Sequence, residues 1–152
     1  MSDKHPNDFT PRERFHCATP VQLRFNDVDA LGHVNNSIYF QLFDLGKTHY
    51  FELAHGKAID WNEVNVMAVN VNCDFLEQTR HGEPLQVLTR VASIGNKSFV
   101  MEQVLVNTAT GHYKSVCRTV MVHIDLATGA PSRVSDDWRD AITAMEHPDR
   151  CG

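Results

Sequence analysis

The chain has no C-x-x-C pair, no H-E-x-x-H, and no apolar run long enough to span a membrane. Its four cysteines, Cys17, Cys73, Cys117 and Cys151, are far apart, which removes the zinc-ribbon and disulfide-framework readings. Cys73 and Cys117 fall in apolar runs and read as small core residues. The nine histidines are scattered, and His49 and His55 miss the i, i+4 spacing of a helical metal site, so no metal is expected. The segment Met1–Phe15 is polar and mixed in charge, without the apolar centre of a signal peptide. Together with unpaired thiols this predicts a cytoplasmic protein. Positive charge is also scarce: 14 Lys and Arg against 19 Asp and Glu give a net charge of −5. Sequence-independent nucleic-acid binding needs the opposite balance. Repeats and low-complexity segments are absent.

What is present is an ordinary globular composition, 42% hydrophobic and 22% charged over 152 residues, enough for one domain with a core. Residues 1–18, with Pro6 and Pro11, read as a flexible lead-in. Val21–Phe25 alternates apolar and polar and predicts a strand. From about Asn36 to His55, Tyr39, Phe43 and Tyr50, with Ile38, Leu42 and Leu45, recur at helical spacing. Asn35 or Asn36 can cap that helix and Gly56 can end it. Gly46 inside it costs about 1 kcal/mol against alanine, which a close backbone contact would explain.

Four strands then follow: residues 64–78, bulged near the middle, 85–93, 98–107 and 113–125. Short connections predict that they are antiparallel neighbours. Ser135 caps a C-terminal helix over residues 136–145. The expected class is α+β, a five-stranded antiparallel sheet wrapped around one long helix, with a short C-terminal helix. The domain runs over 19–146, with a tail at 147–152. One helix covers such a sheet poorly, so an edge or face is expected to meet a second copy.

Between the first strand and the long helix lies Arg24-Phe25-Asn26-Asp27-Val28-Asp29-Ala30-Leu31-Gly32-His33-Val34-Asn35-Asn36-Ser37-Ile38-Tyr39. So many polar side chains in one turn build a poor core. They do place an acid beside a helix N-terminus, whose free N–H groups attract negative charge. Asp29 can serve as nucleophile or general base, or can simply bond turn amides. Asp27 reads as structural, paired with Arg24. His33 can orient Asp29, tune it, bind substrate, or be structural.

This order of elements and this motif resemble the hotdog fold, and more narrowly the 4-hydroxybenzoyl-CoA and acyl-CoA thioesterase family. Phe25, Asp27, Asp29, Gly32, His33, Val34, Asn35, Asn36, Tyr39 and Asp44 match its pattern; Gly82-Glu83, the Gly95–Phe99 segment and the Val122–Asp125 strand end support it. The resemblance implies an acyl-CoA thioesterase with Asp29 as the catalytic acid, His33 beside it, and backbone N–H groups near Asn36 holding the thioester carbonyl. It implies Lys97 and Ser98 on the CoA portion; Tyr39, on the helix, reads as core or as the wall of a substrate-binding acyl pocket. It implies no cofactor, a homodimer or homotetramer, and a site shared between subunits.

Three departures are visible. Asp44 replaces the usual helix glutamate and remains the rival acid. Gly46-Lys47 replaces a small-Arg pair. Leu31 replaces the asparagine used by plant acyl-carrier-protein thioesterases. An acyl-carrier-protein thioesterase and a non-catalytic acyl-CoA binding module are the alternative readings.

Overall fold

In the computed structural model, residues 9–147 are described. β1 (Cys17–Val21), α1 (Asn36–His55), β2 (Val66–Phe75), β3 (Leu85–Ile94), β4 (Ser98–Asn107), β5 (Tyr113–His123) and α2 (Asp136–Glu146) follow in order. The five strands form one antiparallel sheet in the order β1-β3-β4-β5-β2, with α1 packed against one face.

α1 starts and stops as the sequence predicts. Asn35 Oδ1 accepts the Ser37 amide at 3.1 Å, and Gly56 ends the helix at φ 70°. Its inner stripe is Ile38, Tyr39, Leu42, Phe43, Gly46 and Tyr50, whereas Leu45 is exposed. The position facing the sheet at that turn belongs to Gly46. A Cβ there would lie 2.6 Å from Val87 Cγ1 and 2.8 Å from both Thr89 Oγ1 and Gln103 Nε2. The missing side chain is what lets the helix axis approach the sheet. Gln103 closes the same contact by donating to the Phe43 carbonyl at 2.7 Å and to Thr89 Oγ1 at 3.1 Å.

The expected strand at 21–25 is corrected to Cys17–Val21, which pairs with β3 from Cys17↔Thr89 to Val21↔Leu85. Leu23–Phe25 leave the ladder because the Arg24 amide donates to Asp27 Oδ2 at 2.8 Å, closing a 3₁₀ turn over Phe25–Asp27. Pro20 fits β1 because an edge strand tolerates a missing N–H.

Residues 9–16 of the expected flexible lead-in are docked on the sheet face opposite α1. Phe15 packs on Leu88, Val104 and Val106, the Tyr113 hydroxyl donates to the Thr10 carbonyl at 2.8 Å, and Arg12 donates to Gln86 at 3.1 Å. The rest of that segment, 1–8, and residues 148–152 lie outside the described residues.

The expected run of four neighbouring strands breaks once. β3, β4 and β5 are hairpin neighbours, but β2 pairs with β5, with the bulge at Ala68/Asn70. Residues 76–84 therefore cross to the other side of the sheet before β3 begins. On the way, backbone groups of Thr79 and His81 bond to the Arg24–Tyr39 turn. α2 docks through Trp138, stacked 5.8 Å from Phe99, and through Glu146, which accepts the Tyr50 hydroxyl at 2.6 Å and the Val91 amide at 3.0 Å.

Candidate active site

The polar turn is a rigid clasp. Asp27 is buried and takes three bonds from Arg24: the backbone amide, Nη2 at 3.0 Å on Oδ1 and Nε at 3.4 Å on Oδ2. The guanidinium and the amide hold its carboxyl below the usual aspartate value, against the push of burial. The Val28↔Val34 bridge closes the loop, and the Asn35 amide donates to the Asp27 carbonyl at 3.2 Å. Gly32 sits at φ 77°, a conformation that residues with a Cβ rarely adopt.

Asp29 lies at the tip of this clasp and is exposed in the single chain. Its Oδ1 accepts the Leu31 amide at 2.9 Å and the His33 amide at 3.1 Å. These two amides, His33 first, hold its carboxyl below the usual value, so it is a carboxylate at neutral pH. Among the described residues no group bonds Oδ2. The turn bonds therefore occupy one oxygen and leave the other unpartnered. A surface depression of about 560 Å³ opens here, lined by Phe25, Asn26, Val28, Asp29, Ala30, Gly32 and His81.

At the adjoining helix N-terminus the Asn35 side chain takes the Ser37 amide, and its carbonyl takes the Ile38 amide at 2.9 Å. Among the described residues the Asn36 N–H has no such partner. A free backbone donor at a helix N-terminus suits a developing oxyanion.

Comparison with known proteins decides the family. Residues 23–142 match the Thioesterase-like superfamily. The chain belongs to that superfamily. It is a thioester hydrolase by class, and its architecture is the hotdog fold. The uncharacterized protein YsmA of Bacillus subtilis is 24% identical, covering 80% of this chain and 82% of its own length. The long-chain acyl-CoA thioesterase FadM of Escherichia coli is 20% identical, covering 84% and 97%. A thioesterase from Thermus thermophilus, solved with coenzyme A and Zn, superposes with a TM-score of 0.79 at 27% identity, covering 88% and 96%.

Within this thioesterase-like chain, the expected site residues divide into two groups. Asp29, His33 and Asn36 share the clasp. The His33 carbonyl also accepts the Asp29 amide at 2.9 Å, and His33 bridges to Arg80. Tyr39, expected as core or acyl-pocket wall, is buried beneath the clasp; its hydroxyl donates to Thr79 Oγ1 at 2.9 Å and its ring meets Phe75 edge-on at 5.0 Å. Lys97 and Ser98 are not brought to Asp29 in one chain. They sit in the β3–β4 turn, where the Gly95 amide bonds the Ser98 carbonyl at 2.7 Å. The clasp lies at the other end of β4, where Asn107 bonds Glu83 at 2.9 Å. That strand, Ser98–Asn107, is about 30 Å long at ~3.3 Å per residue.

Asp44 stands apart as well. It is exposed, ion-paired with Lys47 at 3.3 Å, on the rim of a second cleft of about 550 Å³. That cleft is walled by Phe51, His55, Trp61, Val64, Met121 and Trp138, toward the far end of α1. Among the described residues no group of three or more His, Cys, Asp or Glu side chains could hold a metal ion, and no helix is long and apolar enough to cross a membrane.

Sequence reasoning misses the crossing segment. Thr79 accepts the Val34 amide on its carbonyl at 2.9 Å, and the His81 amide donates to the Gly32 carbonyl at 3.2 Å. Locally, residues 81–84 read only as a turn. The signal that would place them is topological, the return of β2 to β5.

Proposed function

We propose that the chain hydrolyses an acyl-CoA thioester to a free carboxylic acid and CoA, with Asp29 as nucleophile or general base. The carrying observation is the divided Asp29 carboxylate: one oxygen held by two amides, the other without a partner among the described residues, in the turn that leads into the N-terminus of α1. As a base, Oδ2 would take a proton from water as its oxygen attacks the thioester carbon. As a nucleophile, it would attack that carbon and form an anhydride that water then opens. In both routes the carbonyl oxygen gains charge, the Asn36 N–H at the start of α1 is the donor assigned to it, and CoA leaves as its thiolate and is then protonated. His33, through its backbone, holds the carboxylate in place.

The Lys97–Ser98 turn supports a phosphate-binding role through a point charge on a tight turn, but it lies a strand's length away. A second copy resolves the distance. β2 is an edge strand whose Met67, Val69 and Val71 are 49%, 55% and 41% exposed, an apolar edge of the kind that pairs. Antiparallel pairing of β2 with its copy reverses the second sheet. The Lys97 end and the aromatic cleft of one subunit would then lie toward the Asp29 end of its partner. This supports a homodimer, or a homotetramer built from it, with the acyl-CoA shared between subunits.

The test is thiol release from short, medium, long and aromatic acyl-CoAs by the full chain and by Asp29→Asn. Release lost in the variant supports the reading. Release only from acyl-carrier-protein thioesters would change the substrate class. Stable acyl-CoA binding without release would make the chain a binding module.

A further inference from the structure

We propose that Cys73 and Cys117 are a redox modification site that closes into a reversible cross-strand disulfide between β2 and β5. The register sets these residues directly opposite each other, with no shift from Asn70 to Phe75. Beyond the end of β2 the Leu76 amide bonds the Lys114 carbonyl at 2.9 Å. In an antiparallel pair bonded and non-bonded rungs alternate, so 76/114 and 74/116 are bonded rungs and 73/117 is not. The non-bonded rung has Cα atoms about 4.5 Å apart, inside the roughly 4.4–6.8 Å that a disulfide spans. Both side chains face inward: Cys117 belongs to the core beneath α1 and Cys73 packs against it.

The surroundings favour a reactive pair over two inert thiols. The two thiols interact and split: the Cys73 contact first, then Thr119 and the Lys47 ammonium, lower the Cys117 thiol against burial and the Asp44 charge, while the same contact and burial push the Cys73 thiol well up, so Cys117 is the sulfur that ionises. Cys17, beside Thr19 and His49, has no such partner thiol, and burial pushes it up to about 11. Cys73 is half-buried rather than sealed in the core of the single chain.

The oxidant class is a hydroperoxide. One thiolate attacks the O–O bond of hydrogen peroxide, releasing hydroxide and leaving a sulfenic acid; the second sulfur displaces that hydroxyl as water and forms the S–S bond. The sum is two thiols and one peroxide to one disulfide and two waters. The link ties β2 to β5 just before the crossing segment that backs the Asp29 clasp. It does not depend on the reaction proposed above.

The experiment treats the reduced full chain with hydrogen peroxide and maps the thiols by mass. The expected result is a tryptic species joining Ser115–Arg118 to the peptide that holds Cys73, about 2 Da below the sum of the two and split by dithiothreitol. Total thiols fall from four to two, and Cys73→Ser abolishes the species. The oxidised chain should melt roughly 5 °C or more above the reduced one. Separate Cys73 and Cys117 peptides after oxidation, a sulfinic acid on either, or bridges formed only through Cys151 would overturn the proposal.

Discussion

Asp29 and His33 hold each other twice. The His33 amide donates to the Asp29 carboxylate at 3.1 Å, and the His33 carbonyl accepts the Asp29 amide at 2.9 Å. Both contacts use the His33 main chain, so in the mechanism proposed above His33 positions the carboxylate without its imidazole.

Asp29→Asn keeps the turn, because the amide oxygen still accepts both N–H groups. It loses the negative charge. Turnover should fall roughly 10²-fold or more with an unchanged melting temperature. Asp44→Asn should change turnover by less than about 3-fold, since removing an exposed ion pair is a small perturbation. Steady-state thiol release on both variants decides between the two acids; the reverse pattern would make Asp44 the acid.

His33→Ala leaves both main-chain bonds in place. If its role is positional, kcat should drop less than about 10-fold, far below the Asp29 effect. A loss equal to that of Asp29→Asn in the pH–rate profile would give the imidazole a direct part.

Gly46→Ala sets two effects against each other. Alanine favours a helix by about 1 kcal/mol. The added Cβ would meet Val87, Thr89 and Gln103 at 2.6–2.8 Å, and overpacking costs about 1–3 kcal/mol, more when a buried hydrogen bond is displaced. Gln103 cannot yield without loosening its bond to the Phe43 carbonyl. The net should be a lower urea midpoint; a gain in stability would refute the tight contact.

Acid should weaken the fold through Asp27 and Glu83. Glu83 is also held low: burial pushes it up, but the Arg80 amide at 2.6 Å, Asn107 and Lys114 outweigh that push. Both folded values lie below the unfolded ones. Their contribution is therefore complete above the unfolded carboxylate range, near pH 4–5, and is lost as pH falls through the folded values. Urea midpoints between pH 7 and 3 should fall in that window, and Asp27→Asn with Glu83→Gln should flatten the slope.

A shared site predicts complementation. Asp29→Asn and Lys97→Ala are on different ends of one chain, so mixed oligomers should regain one intact site per pair. Activity above the mean of the two parents after mixing and refolding would show it. Val69→Lys on the β2 edge should shift sedimentation toward the monomer and lower turnover. Unchanged sedimentation would move the interface elsewhere.

The local elements were legible in the residues because each rests on short-range physics. The helix Asn36–His55, its Asn35 cap and Gly56 stop, the bulge in β2 and the Ser135-capped α2 all follow from spacing and capping chemistry. Arg24 and Asp27, three residues apart, were within reach of the same reasoning. Long-range partners were not. The pairing of β2 with β5, the docking of residues 9–16 and the backing of the clasp by Thr79 and His81 depend on contacts between distant segments, and no local pattern encodes them. By itself the sequence determined an acid at a strand–helix junction and the family to which it belongs. Only the tertiary structure decided which oxygen of Asp29 stays unpartnered, that the Tyr39 hydroxyl meets Thr79, and that Lys97 stands a strand away, because burial and hydrogen-bond partners are set by the return path of the chain.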